Sequence, residues 1–167
     1  MSTSNAYFVP LIPQTTKRGC WAASIAMIKS WKSRISYYTP ENVSIVGSTN
    51  YKLQLTSGLD STDKKILRLN GFEIVSNNSS LNIEFISRIL RKKGPLWFAR
   101  WAPGPHVSVI TGNSGNKIFI NDPWPPNRGK QIKVDFAAMM KDVESLHLGG
   151  VDHAPEHLNS VYFAYLK

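Results

Sequence analysis

The only cysteine of the chain, Cys20, stands in "QTTKRGCWAAS", directly after a glycine and at the start of a stretch rich in helix formers. A thiol in the first turn of a helix meets the positive end of the peptide dipoles, which favours thiolate, the nucleophilic form. The bland alternative is a small core side chain, because free cysteine is among the most buried residue types. A nucleophile needs a base, and the chain has four histidines. His106 opens the apolar run "HVSVITG" just after Gly104-Pro105, where a sheet would hold the ring while it faces a cleft. His147, His153 and His157 lie in the loop-like "SLHLGGVDHAPEH", with no second cysteine or paired acid to complete a metal site, so no metal or other cofactor is expected. A base in turn needs an orienting group. "KIFINDPW" is the next strand-like run, and a hairpin from His106 back to Asp122 leaves the two at neighbouring strand ends. Acyl transfer also needs donors for a developing oxyanion. The Cys20 backbone N–H is one, and the side-chain amide of Gln14, six residues earlier, is a second.

Several elements must position these groups. Trp21, Ile25, Ile28 and Trp31 recur near helical spacing in "CWAASIAMIKSW", which predicts a helix opening at Cys20. From Ser36 to Leu59 there is no clean period, and this stretch reads as loop with short pieces. "STDKKILRLNGF" reads as a short helix begun by Ser61 or Thr62 and ended by Gly71. "LNIEFISRILRKKG" is a clearer amphipathic helix, with Ile83, Ile86, Ile89 and Leu90 on one side, Asn82 as cap and Gly94 as terminator. Short β-prone runs follow ("PLWFARW", "HVSVITG", "KIFIND", "QIKVDF"), separated by turn chemistry such as "GNSGN" and "PWPPNRG". "DFAAMMKDV" reads as a helix capped by Asp135, and "SVYFAYL" as a final strand. Helices first and closely spaced strands afterwards predict an α+β fold, a single domain over residues 1–167.

Charge and composition narrow the partners. Twenty Lys and Arg against eleven Asp and Glu give a formal charge of +9, which attracts polyanions or acidic proteins. The basic residues sit in short groups ("TKRG", "TDKK", "RILRKKG"), and neither zinc-finger spacing nor an RNP-type motif is present, so no specific nucleic-acid partner is expected. No apolar run approaches the roughly 18–20 residues of a membrane span. The start "MSTSNAYFVPLIPQ" has no secretory pattern, and one cysteine makes no internal disulfide, so the expected compartment is the cytoplasm.

In this order the pieces resemble the papain-like cysteine peptidases. "QTTKRGCWAAS" supplies a glutamine six residues before a Cys-Trp pair, "GPHVSVITG" a strand-borne histidine, and "INDPW" an Asn or Asp. "CWAASIAMI", "HVSVITG" and "NDPW" are most similar to the bacterial AvrRpt2-type effector peptidases. They are also similar to the double-glycine peptidase domains of bacteriocin-exporting ABC transporters. The likeness covers Gln14 to Pro123. It implies a papain-like fold whose N-terminal central helix carries the nucleophile and packs on an antiparallel sheet. It further implies Cys20, His106 and Asp122 as catalytic residues, Gln14 in the oxyanion hole, and Trp21 and Trp124 against substrate. Two departures stand out: Pro105 precedes the histidine where many relatives have glycine, and Asn121 rivals Asp122, since plant and lysosomal members use Asn. The implied activity is that of a thiol protease acting as a toxin or effector in interbacterial competition. A specialised secretion system would deliver it to the target-cell cytoplasm, where it cleaves proteins after small residues such as Gly-Gly. An acidic immunity protein would restrain it in the producer. The competing readings are a peptidoglycan amidase of NlpC/P60 type and a non-catalytic basic binding module on the same fold.

Overall fold

The computed structural model describes residues 4–34, 38–44, 52, 63–75, 81–101, 104–148 and 163–167. Within them lie seven strands: β1 (Ser4–Ala6), β2 (Phe72–Ile74), β3 (Leu96–Trp101), β4 (Pro105–Ser114), β5 (Lys117–Asp122), β6 (Lys130–Asp135) and β7 (Phe163–Leu166). They form one antiparallel sheet in the order β2-β7-β3-β4-β5-β6, and β1 pairs with the far end of β4. The described helices are α1 (Cys20–Ser33), α2 (Pro40–Ser44), α3 (Asp63–Leu69), α4 (Ile83–Lys93) and α5 (Phe136–Leu148). No helix among the described residues is long and apolar enough to cross a membrane.

The expected α+β architecture holds: α1 packs on one face of the antiparallel sheet, and α4 and α5 pack on the other. Alternation along the strands builds both layers. Trp97, Ala99, Val107, Val109 and Ala164 meet Trp21, Ile25 and Ile28 of α1. Leu96, Phe98, Ile110, Ile118, Ile120 and Phe163 meet Ile86 and Leu90 of α4 and Met139 and Val143 of α5. Helix α1 is less amphipathic than its spacing suggests. Ala22, Ala23, Ala26 and Met27 are as buried as the Trp21–Ile25–Ile28 stripe, so the helix is enclosed on nearly all sides. It ends where Arg34 turns left-handed, at φ 58°.

Helix α4 forms as its sequence predicts. The Asn82 side chain accepts from the Phe85 N–H at 2.8 Å, and Gly94 at φ 90° ends the helix. The order of elements differs from the expectation in one respect: β1 and β2 precede the main run of strands. β1 is too short and polar to show a period. It is held instead by close approach and side-chain bonds. A Cβ at Gly112 would overlap the Asn5 carbonyl and lie 2.7 Å from Ala6 Cα. Asn5 Nδ2 donates to Ser87 Oγ at 3.0 Å and to Asn113 Oδ1 at 3.2 Å. Asp135 closes β6 ahead of α5, and its carboxylate pairs with Lys117 Nζ at 2.7 Å. Residues Ser61 and Thr62, most of 36–59, and the stretch carrying His153 and His157 lie outside the described residues, as does the side chain of His147.

Candidate active site

The β4–β5 hairpin decides which carboxyl-terminal residue of β5 meets His106. Its two-residue turn, Gly115-Asn116, pairs Ser114 with Lys117. Strict alternation from that turn would set Asn121 opposite Ile110, on the face of His106. A bulge between Ile110 and Gly112 leaves Thr111 as an extra residue, so Val109 pairs with Asn121 instead. Asp122 thereby comes level with Ser108, two residues from His106 along the same face. Across the other ladder of β4, Arg100 on β3 pairs directly with His106.

The bonds follow this register. His106 Nε2 lies 2.7 Å from Asp122 Oδ1, which also accepts the Trp124 backbone N–H at 2.9 Å. The other carboxylate oxygen, Oδ2, accepts from Arg100 Nη2 at 2.8 Å. Arg100 Nη1 reaches Asp142 Oδ2 on α5 at 3.4 Å. Both members of the Arg100–Asp122 pair are buried, whereas Asp142 is partly exposed. Asn121 turns away. It is buried on the opposite side, where Nδ2 donates to the Val9 carbonyl at 3.0 Å and Oδ1 accepts from Gln131 at 3.1 Å. Of the two rivals, Asp122 is therefore the one brought to His106.

His106 lies close enough to Cys20, the first residue of α1, for the thiol and its charge to act on the ring. With Nε2 occupied by Asp122, Nδ1 is the ring nitrogen left for the thiol. Burial disfavours the charged ring. The hydrogen bond to Asp122, the thiol and charge of Cys20, and the charge of Asp122 outweigh it and push the His106 pKa up to about 9. Burial alone would raise Asp122, but its bond and charge with His106, the Trp124 N–H and the Arg100 charge hold its carboxyl below the usual value. The arrangement suits a thiolate–imidazolium pair steadied by a carboxylate that stays ionised.

Gln14 is buried beside this group. Its N–H donates to the Pro123 carbonyl at 3.1 Å, and its carbonyl accepts the Asn127 N–H at 2.8 Å, which ties its backbone to the turn after Asp122. Its Nε2 donates to the Thr16 carbonyl at 2.7 Å. The first turn of α1 has neither a side-chain cap nor an acidic residue. Trp21, expected against substrate, requires correction: it has no exposed surface and belongs to the core under α1. Trp124 is 43% exposed, next to the turn that carries Asp122. Sequence reasoning passed over Arg100. The signal was a lone cation inside the apolar run "PLWFARW", which, once buried, must find a partner.

Comparison with known proteins agrees with this geometry. A family model described as papain-like cysteine protease AvrRpt2 matches residues 3–140. The chain belongs to this family. It is a papain-like cysteine protease. Its fold is shared by a C39-like peptidase from Bacillus anthracis, at a TM-score of 0.63 and 14% identity, covering 99% of this chain and 98% of the other. It is also similar to a double-glycine-motif protease from an AMS/PCAT transporter, solved with its leader peptide, at a TM-score of 0.50 and 22% identity over 82% and 88% of the two chains. No curated protein matches the sequence.

Proposed function

We propose that this AvrRpt2-family protease is a bacterial effector that cleaves proteins in the cytoplasm of a target cell, with Cys20 as nucleophile, His106 as acid and base, and Asp122 as orienting group. The observation that carries the reading is the bonded Asp122–His106 pair set within electrostatic reach of Cys20 at the start of α1. Cys20 Sγ attacks the carbonyl carbon of the scissile bond. The oxyanion takes hydrogen bonds from the Cys20 N–H and from Gln14 Nε2, whose other hydrogen is held by the Thr16 carbonyl. His106 then protonates the leaving amine. It next removes a proton from the water that releases the acyl group from Cys20. Asp122 keeps the ring in one tautomer throughout. Trp124, exposed and two residues after Asp122, forms one wall of the substrate site.

The likeness to a transporter protease solved with a leader peptide supports cleavage after small residues such as Gly-Gly. The effector role is supported by the family match, and delivery by a specialised secretion system is the route that accords with that role. A formal charge of +9 supports an acidic immunity protein as the partner that covers the site in the producing cell.

The test expresses wild type and Cys20→Ala in bacterial cytoplasm and compares newly formed protein N-termini by mass spectrometry. New termini and growth arrest with wild type alone are expected, and the residues before each cut report the Gly-Gly preference. Arrest without new termini would move the reading to another acyl transfer, such as transglutamination. Equal behaviour in the cytoplasm, with Cys20-dependent lysis when the protein is sent to the periplasm, would favour the peptidoglycan amidase.

A further inference from the structure

We infer that Arg100 is a positioning residue of the site, which neutralises Asp122 from the side opposite His106 and so presents one fixed, ionised carboxylate oxygen to the imidazole. The inference rests on the reading of Cys20, His106 and Asp122 as one catalytic unit. The carboxylate of Asp122 is divided: Oδ1 serves His106 and the Trp124 N–H, and Oδ2 serves Arg100 at 2.8 Å. A carboxylate held by both oxygens cannot rotate away from the ring. Arg100 is itself fixed from three directions. It stands opposite His106 in the β3–β4 ladder, its guanidinium lies 5.8 Å from the Phe98 ring centroid, and its second arm reaches Asp142 on α5.

Packing is a poor reason for this residue. Arg100 is 6% exposed, and its Nε has no acceptor among the described residues, a cost that an apolar side chain in the same space would avoid. What an apolar side chain cannot supply is charge. The charged or titratable groups around Asp122 are His106 from β4, Arg100 from β3 and Asp142 from α5, with Cys20 of α1 beyond His106. Lys130, paired with Asp122 across β6, is exposed. With Arg100 present, Asp122, His106, Cys20 and Arg100 sum to zero charge when the thiolate pair is formed. Without it the buried group carries a net negative charge and takes up a proton at higher pH.

Cys20 is the only thiol, so its alkylation by iodoacetamide reads the site without a known substrate. The experiment follows alkylation rate against pH in wild type, Arg100→Gln and Arg100→Lys. Arg100→Gln is expected to move the acid limb to higher pH, by less than the roughly one to three units an arginine exerts on a carboxylate it touches, because Cys20 lies beyond Asp122 and His106. Arg100→Lys, which keeps the charge, should leave that limb near the wild-type position. An unmoved limb in folded Arg100→Gln, or equal shifts in both variants, would overturn the inference in favour of packing alone. If Arg100→Gln does not fold, the double variant Arg100→Gln/Asp122→Asn decides. Recovery of folding shows that Arg100 answers the charge of Asp122, and failure to recover overturns it. A wild-type profile that His106→Ala leaves unchanged would instead sink the catalytic unit itself, an outcome distinct from either.

Discussion

The two faces of the sheet are built by different physics. On the α1 face, Trp97, Val107, Val109 and Ala164 pack against Trp21, Ile25 and Ile28, and dry close packing fixes the axis that carries Cys20. The opposite face is equally apolar at its centre, yet at one end it carries Arg100, His106 and Asp122 in mutual contact. Cys20 is thus placed by shape, and His106, Asp122 and Arg100 are placed by charge. His106 answers to both, bonding Asp122 through Nε2 and lying within electrostatic reach of Cys20. Damage on the α1 face should therefore appear as lost stability, whereas damage at the charged end should appear first in the chemistry.

The largest expected effect comes from Asp122. Asp122→Asn should lower peptide cleavage by about 10²–10⁴-fold, the usual worth of an acid–base pair. It should also destabilise the fold by about 3–5 kcal/mol, because Arg100 is left buried with only the more distant, partly exposed Asp142 as anion. Asn121→Ala removes the bonds to Val9 and Gln131, costs about 1–3 kcal/mol in chemical denaturation, and leaves the cleavage rate near wild type. Exchanging the pair, with Asp at 121 and Asn at 122, should stay as inactive as Asp122→Asn on protein shown to be folded. Activity in the exchanged variant would mean that the β4–β5 ladder runs without its bulge.

The pH dependence separates the faces next, and its sign follows from the two shifts. His106 is raised in the folded chain, so the stability its proton contributes is complete below pH 6.5 and is lost as pH climbs through about 9. Asp122 is lowered, so its contribution is present above pH 3.8 and disappears only below it, as the folded carboxyl titrates. Unfolding by urea at stepped pH should show a plateau between these limits, and cleavage should decline on the alkaline side near pH 9. In His106→Ala the alkaline fall in stability should vanish, and its persistence would assign the fall to another group.

Much of the site was legible because its signals are local. Cys20 after a glycine at the head of a helix, His106 at the head of a strand, and Asp122 at the tail of the next one each announce themselves by position. The hairpin joining the last two was visible in its turn residues. What stayed hidden depends on more than one segment. The bulge falls at Thr111, and the neighbouring Gly112 and the consecutive Val109-Ile110 do not by themselves say where an extra residue sits, so the choice between Asn121 and Asp122 stayed open until the register was known. Arg100 read as an ordinary strand residue because its partners lie 22 and 42 positions along the chain. Trp21 seemed fit for a cleft wall because it follows Cys20, but a helix residue one position on points about 100° away, here into the core. β1 is three residues of polar chain, and only its tertiary partners make it a strand.

The smallest effect tests how far the charged end is insulated from the sheet's far edge. At Gly112 a Cβ would overlap the Asn5 backbone, and backbone cannot be displaced cheaply. Gly112→Ala should push β1 off β4 and release the Asn5 bonds to Ser87 and Asn113, at about 1–3 kcal/mol. The following segment has separate anchors, from the Val9 carbonyl to Asn121 and from the Gln14 N–H to Pro123. Gln14 should therefore hold its place while Ser4–Ala6 comes free. Limited proteolysis should cut the N-terminal residues sooner, the urea midpoint should fall modestly, and the alkylation profile of Cys20 should not move. A profile that shifted with Gly112→Ala would mean that strain at β1 passes along β4 through the bulge to His106, and the two ends of the strand would then have to be treated as one mechanical unit.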